Sequence, residues 1–257
     1  MPDADSHSPA AFTRIDGRGP LVLLCDHATN FIPPEYDRLG LPAPELQRHI
    51  AYDIGAAALT RHLAARLRVR AVLSGFSRLL IDPNRGLDDP TLVMRLSDGA
   101  VVPGNARIDP VERKRRIERF YRPYDQAVAE TVAAVEAEGL APLLFSIHSF
   151  TPFWKGRPRP WHVGVLYGRD ARLAAPLLAR LREDPALNVG DNEPYDGDLE
   201  GDTLDRHATR HGRLHVLLEV RQDLVADDAG VAAWTDRLVP ILERLAADAR
   251  TARDAAA

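Results

Sequence analysis

Three short apolar runs punctuate the chain, and each leads into polar residues. Leu21-Val22-Leu23-Leu24-Cys25 runs into Asp26-His27, Leu143-Leu144-Phe145-Ser146-Ile147 into His148, and Leu214-His215-Val216-Leu217-Leu218 into Glu219. Runs of this length, rich in leucine and valine, predict buried strands of an α/β sheet. Between them the spacing turns helical. Ile50, Ile54, Leu59, Leu63 and Leu67 predict a helix over Pro44 to Leu67, with Arg61, Arg66 and Arg68 elsewhere on its surface. The longest helical pattern covers Asp109 to Glu138, with Pro110 suited to a first turn and Gly139 to the end. Further helices are expected near Asp170 to Arg182, Thr203 to His211 and Gly230 to Arg250.

Shorter strand candidates are Ala71-Val72-Leu73, continued or followed by Leu79-Leu80-Ile81, then Val163 to Tyr167 and the run around Leu187-Asn188-Val189. Ile32-Pro33-Pro34 implies a loop over the sheet edge. Asp82 to Asn105, with its Pro, Gly and Asp clusters, has the character of a long functional loop. Thr151 to Trp161 and Asn192 to Asp202 are loops as well. Strands alternating with helices predict an α/β fold, a mixed and mainly parallel sheet sandwiched by helices. One domain is expected over residues 20–250, after a polar lead-in at 1–19.

Composition narrows the function classes. A net charge of -4 gives no reason to expect nucleic acid or an anionic membrane as partner. The basic run Glu112-Arg113-Lys114-Arg115-Arg116 is expected to be a solvated helix face. A single cysteine, Cys25, excludes an internal disulfide framework and fits a reducing compartment; within an apolar run it is expected to be a small buried hydrophobe. The chain has no 18-residue apolar stretch, and its first twenty residues lack the apolar core of a signal peptide, so a cytoplasmic location is expected.

The polar residues ending the three runs carry the chemistry. Ligands of such sheets bind outside the carboxyl ends of the strands. Two imidazoles and a carboxylate brought to one edge are the parts of a catalytic zinc site. His27 and His148 are the first metal-ligand candidates. Asp53, among apolar neighbours of the predicted helix where an unpaired carboxylate would be costly, is the third, with Asp26 as the alternative. Asp26 also suits a role beside a histidine, fixing its tautomer. Glu219 is the candidate general base, flanked by Leu217, Leu218 and Val220, which would raise its pKa. Arg78, Asn84 and Arg85 form an anion-reading set, because a guanidinium fork matches a carboxylate.

A family resemblance joins these residues. Cys25-Asp26-His27-Ala28-Thr29-Asn30-Phe31-Ile32-Pro33 resembles the opening motif of the N-formylglutamate amidohydrolase family. The likeness continues at Asp53, Ser77-Arg78, Asp82-Pro83-Asn84-Arg85 and Ser146-Ile147-His148-Ser149-Phe150-Thr151-Pro152. It extends through Arg159-Pro160-Trp161-His162-Val163-Gly164-Val165-Leu166-Tyr167, Asn192-Glu193-Pro194-Tyr195 and Leu218-Glu219-Val220-Arg221-Gln222-Asp223. The blocks occur in family order over about Leu21 to Leu224. The resemblance implies kinship with zinc carboxypeptidases and aspartoacylases and a three-layer α/β/α, phosphorylase/hydrolase-like fold. It also implies one Zn2+ or similar divalent metal, and hydrolysis of a linear amide in an N-formyl or short N-acyl amino acid. Asp82-Pro83-Asn84-Arg85 resembles the Asn-Arg pair that holds substrate carboxylates in the related peptidases, with Asp82 orienting one arginine. His207 corresponds to a family histidine that would stabilise the tetrahedral intermediate or contact substrate. The carboxypeptidase-like pattern has Glu three residues after its first His, where this chain has Asn30, so the third ligand stays open among Asp53, Asp26 and Asn30. Longer N-acyl amino acids, small peptides, and non-catalytic binding of acidic metabolites are the competing readings.

Overall fold

The computed structural model describes residues 10–254. The apolar runs become central strands of a seven-stranded sheet. In chain order its strands are β1 (Phe12–Ile15), β2 (Leu21–Cys25), β3 (Arg70–Ser74), β4 (Leu143–Phe150), β5 (Val163–Leu166), β6 (Val189–Asp191) and β7 (Leu214–Arg221). They lie in the order β1-β3-β2-β4-β7-β5-β6. The pairs β3–β2, β2–β4, β4–β7 and β5–β6 are parallel. β1 joins β3, and β5 joins β7, antiparallel, so the sheet is mixed and mainly parallel as expected.

Helices cover both faces and make three layers. On one face α1 (Ala56–Leu67), α4 (Ala174–Leu181) and α6 (Asp228–Asp254) pack on Leu21, Leu23, Leu143, Phe145, Val216 and Leu218. On the other, α2 (Pro110–Arg116) passes through a π-helical stretch, Ile117–Tyr121, into α3 (Arg122–Ala137). These, with α5 (Thr203–His207), pack on Val22, Leu24, Leu144 and Leu217. Side chains alternate along a strand, so Ser146 and His148 follow Leu144, and Glu219 follows Leu217, onto this second face. Asp26 follows Leu24 the same way, and Tyr124 of α3 reaches it with its hydroxyl at 2.9 Å. Among the described residues no helix is long and apolar enough to cross a membrane.

The predicted helix over Pro44 to Leu67 is split. A 3-10 turn, Ala43–Gln47, precedes an irregular stretch, and α1 starts only at Ala56. Asp53 is the cause: its N–H donates to the His27 carbonyl at 2.9 Å, which draws the chain onto the end of β2. Gly55 then turns into α1 at φ 81°, where a Cβ would lie 2.2 Å from the Val225 carbonyl oxygen. Asp53 therefore lies in the turn before α1, not on a helix.

Other boundaries move less. The lead-in contains β1, while residues 1–9 fall outside the described residues. β4 and β7 each continue two residues past His148 and Glu219. Leu79-Leu80-Ile81 is buried but forms a turn. The helix expected at Thr203 to His211 breaks after His207 into a 3-10 turn, Thr209–His211. The loop from Asp82 to Asn105 is pinned from inside. Asn105 Nδ2 donates to the carbonyls of Leu79 and Met94 at 2.7 and 2.8 Å, and Arg116 Nη1 donates to Asn105 Oδ1 at 2.7 Å. Arg116 is thus buried, the exception in a basic run expected to be solvated.

Gly55→Ala tests the turn that presents Asp53. A β-carbon at positive φ against a backbone oxygen should cost more than about 1 kcal/mol. A lower urea midpoint with unchanged m-value is expected; an unshifted midpoint would show that the turn tolerates a side chain.

Candidate metal centre

Parallel register sets Glu219 directly beside His148, and His27 stands two residues beyond β2 on the neighbouring side of β4. Asp53 comes in from the turn before α1 and points its Oδ2 between the two rings. Oδ2 lies 3.3 Å from His27 Nδ1 and 2.8 Å from His148 Nδ1. The rings are 5.0 Å apart and inclined at 76°, and one ligand atom from each of the three residues lies within 4.8 Å of the others. Tetrahedral zinc with bonds of about 2.0–2.1 Å separates its ligands by roughly 3.3 Å, so this buried group fits a divalent ion.

The outer nitrogens decide the tautomers. His27 Nε2 lies 2.8 Å from Asp82 Oδ1, and His148 Nε2 lies 3.1 Å from Asp26 Oδ2. An ionised carboxylate only accepts, so each Nε2 carries a proton, and each Nδ1 faces Asp53 as the nitrogen left for a metal, with His148 giving up the Nδ1 proton it shares with Asp53 when one binds. Arg78 Nη1 lies 3.3 Å from His27 Nδ1. Both outer carboxylates are themselves saturated. Asp26, fully buried, accepts from Tyr124, from Ser146 at 3.0 Å and from Thr203 at 2.6 Å. Asp82 accepts from Arg78 Nη2 at 2.8 Å and from the Asn84 N–H at 2.9 Å.

Burial alone would push these carboxyls up. For Asp26 the hydrogen bond and charge of His148 outweigh it and hold the group far below the usual range. His27 and His148 do the same for Asp53. Arg78 and His27 do it for Asp82. Burial pushes His148 down, yet its bonds to Asp26 and Asp53 raise it well above an ordinary histidine. Glu219 behaves oppositely. Burial dominates, the partly opposing charge of His148 does not cancel it, and the carboxyl is pushed up to about 7. Its Oε2 is buried with no hydrogen-bond partner among the described residues. Three aspartates are therefore spent on holding the site, and one glutamate is left free beside it.

His27, Asp53, His148, Glu219, Arg78, Asn84 and Arg85 all line one cavity of about 420 Å³. Asn84 Oδ1 accepts the Thr203 N–H at 3.0 Å, which leaves its amide N–H groups for the cavity. Arg85 Nη1 donates to the Asn84 carbonyl at 3.0 Å and its Nε to Thr91 at 3.2 Å. Asp82 orients Arg78 and also His27, a second duty that sequence spacing does not display. His207 lies elsewhere: its Nε2 is 2.6 Å from Asp125 Oδ1 between α3 and α5, outside the residues that line the cavity. Asn30 Nδ2 donates to the Leu46 carbonyl at 2.8 Å, and Asn30 is not among the residues that line the cavity.

Behind one wall of the cavity lies an arginine to which sequence reasoning gave no role of its own. Arg159 is buried beneath the rings of Tyr195, Trp154 and Phe150, 4.9, 5.2 and 5.8 Å from their centres, and donates to the Tyr195 hydroxyl at 2.9 Å. His215, which has no supporting context in the sequence, lines the cavity, as does Asp202. Asp202 directly precedes Thr203 at the start of α5, and that capping position was its only signal.

His27→Ala and His148→Ala should each abolish stoichiometric binding of zinc, measured by metal analysis after dialysis. Asp26→Asn keeps an acceptor but loses the charge behind His148 and should weaken binding about 10- to 100-fold. Wild-type affinity in Asp26→Asn would show that the outer carboxylate does not support the site.

A family model described as N-formylglutamate amidohydrolase matches residues 19–226. The gene product Atu2144 from Agrobacterium tumefaciens has a similar solved structure, with TM-score 0.89 and 34% identity over 94% of this chain and 97% of that one. An N-formylglutamate amidohydrolase from Ralstonia eutropha JMP134 is similar at TM-score 0.66 and 25% identity, over 95% of this chain and 100% of that one. Among proteins of curated function, none matches the chain.

Proposed function

The chain belongs to the N-formylglutamate amidohydrolase family, and on that premise we propose that it is a zinc-dependent hydrolase of the linear amide in an N-formyl or short N-acyl amino acid. The observation that carries this reading is Glu219. A buried, unpartnered carboxylate beside a histidine–aspartate–histidine group is costly to keep unless it acts on something placed there.

His27 and His148 through Nδ1, with Asp53, would hold the zinc, which when bound supplies Lewis-acid polarisation of a carbonyl and a lower pKa for water. The remaining work belongs to the chain. Glu219, made more basic by burial, takes a proton from the attacking water as its oxygen bonds to the amide carbon. It then passes that proton to the nitrogen as the carbon–nitrogen bond breaks, releasing the amine and, from a formyl substrate, formate. Arg78, Asn84 and Arg85, on the loop after β3, hold the carboxylate of the amino-acid half. Their mutual bonds and Asp82 fix them before substrate arrives, which lowers the entropy lost on binding.

The test is formate release from N-formyl-L-glutamate by the zinc-loaded protein, with chelation abolishing it and zinc restoring it. Glu219→Gln should retain zinc and lose about 10²- to 10⁴-fold in kcat. The wild-type acid limb should follow ionisation of Glu219. Activity falls as pH drops through its pKa, which is about 7 without metal and lower once a dication lies beside it. Near-normal turnover by Glu219→Gln would remove the carboxylate from the mechanism. A second variant tests the clamp: Arg85→Lys keeps charge but loses the fork, and should cost about one to two decades in kcat/KM on acidic substrates alone. Equal losses on neutral-amide analogues would assign Arg85 to the loop instead.

A further inference from the structure

Two sequence blocks that the clamp, the metal ligands and the base leave unused, Arg159-Pro160-Trp161 and Asn192-Glu193-Pro194-Tyr195, meet at the edge of the cavity. Tyr195 lines it, and the loop that carries Tyr195 is seated on β5 from both sides. Gly164, the register neighbour of Glu219, has no Cβ, and the Glu193 carbonyl oxygen occupies that space. Asn192 Oδ1 accepts the Tyr167 N–H at 2.8 Å, and a Cβ on Gly197 would lie 2.1 Å from the Tyr167 nitrogen. The Tyr195 side chain therefore starts from backbone fixed beside Glu219. The residue is 42% exposed, yet burial is the chief influence on its phenol, so the ring faces outward and the hydroxyl inward. The charges of Glu219 and Asp53 push the phenol up as well, against the cation of Arg159, which places the hydroxyl close to the metal-binding group. A phenol held above its ordinary range keeps its proton and remains a donor.

Arg159 decides which way that proton points. Its guanidinium lies under the Tyr195 ring, and Nη1 donates to the hydroxyl at 2.9 Å. A guanidinium cannot accept, so the hydroxyl accepts here and sends its own hydrogen elsewhere. Among the described residues nothing accepts that hydrogen. Arg159 is buried, its other side-chain bond is a long one of 3.5 Å to the Thr151 carbonyl, and among the described residues it has no carboxylate partner. A buried cation without a counter-ion is costly as packing alone, but its charge makes the hydroxyl it touches a stronger donor. The site thus keeps an unmatched donor, Tyr195, and an unmatched acceptor, Glu219 Oε2, which are not bonded to each other. An amide under attack by water needs both: an acceptor for the water proton and a donor for the oxygen that gains charge.

We infer that Tyr195 is a catalytic residue, which donates to the amide carbonyl oxygen and more strongly to the oxyanion that water addition makes of it, and that Arg159 positions Tyr195 for this. The inference rests on the amidohydrolase reading and adds two residues to its mechanism. The carbonyl π pair moves onto oxygen as water adds and returns as the carbon–nitrogen bond breaks. Tyr195 shares its hydrogen and keeps it throughout, while the water proton travels by Glu219 alone.

Tyr195→Phe removes the hydroxyl and keeps the ring over Arg159. With zinc-loaded enzyme and N-formyl-L-glutamate, kcat should fall about 10²-fold with KM nearly unchanged. Calorimetry gives a readout without turnover. Its probe is a phosphinate isostere of N-acetyl-L-glutamate, whose tetrahedral phosphorus carries the charged oxygen that the amide lacks. The comparison ligand is L-glutamate, which has the carboxylates and no acyl group. Tyr195→Phe should weaken phosphinate binding by about the factor lost in kcat and leave L-glutamate binding unchanged. Arg159→Met should lower kcat about tenfold, and Arg159→Lys, still a donor, should restore part of that loss. In a Tyr195→Phe background Arg159→Met should cost nothing further, because the hydroxyl it acts through is gone. Additive losses would make Arg159 structural and overturn its positioning role. Unchanged kcat and phosphinate affinity in Tyr195→Phe would overturn the inference and leave the amidohydrolase reading standing. Equal losses for phosphinate and L-glutamate would do the same, by assigning Tyr195 to a substrate carboxylate. No hydrolysis and no zinc-dependent phosphinate binding by the wild-type protein would overturn both.

Discussion

Two buried imidazoles, each gripped through its outer nitrogen by a buried carboxylate, are the interaction on which this structure depends. Asp82 holds His27 and Asp26 holds His148, so both inner nitrogens converge on one oxygen of Asp53. Carboxylates this deep are tolerable only when their lone pairs are filled and their charge is met. The partners come from across the chain: Tyr124 from α3, Ser146 from β4, Thr203 from α5 and Arg78 from the loop after β3. Removing one partner leaves an uncompensated charge, so packing and chemistry share the same bonds.

The shape of the cavity follows. Thr203 is bound to Asp26 by its hydroxyl and to Asn84 by its N–H, which fixes the start of α5 against both the sheet and the long loop. Gly201 approaches Gly86 so closely that a Cβ would lie 2.9 Å from the Gly86 Cα. On the other wall a Cβ at Gly164, the register neighbour of Glu219 on β5, would lie 1.9 Å from the Glu193 carbonyl oxygen. The loops roofing the cavity are thus seated by close backbone contact. Glu219 keeps an oxygen with no partner among the described residues and a raised pKa, whereas Asp26, Asp53 and Asp82 are bonded and held low, and that contrast separates the group that reacts from those that hold.

Much of this was legible in the chain. Apolar runs ending in His27, His148 and Glu219 predicted the strands and the one edge at which the three residues meet. The ordered motifs placed Arg78, Asn84 and Arg85 near them. Asp53 was marked as a candidate, but the helical spacing of Ile50, Ile54 and Leu59 carried the predicted helix straight through it. A hydrogen bond to a residue 26 positions away breaks that helix, and periodicity contains no long-range contacts; Gly55 was the one local sign. Arg116 looked like part of a solvated run because nothing local reports the carbonyls of another loop. His207 was singled out by family position, while its actual partner, Asp125, lies on a different helix. Asp202 and His215 gain their place only when α5 folds over β7.

Diffraction from zinc-soaked crystals, measured on both sides of the zinc absorption edge, tests the central claim most directly. The account predicts one strong anomalous peak about 2.0–2.2 Å from Nδ1 of His27, Nδ1 of His148 and the Asp53 carboxylate, with Asp82 and Asp26 still bonded to the outer nitrogens. A peak bound through either Nε2 or seated on Asp26 or Asp82, or no peak at this place in zinc-loaded crystals, would contradict it.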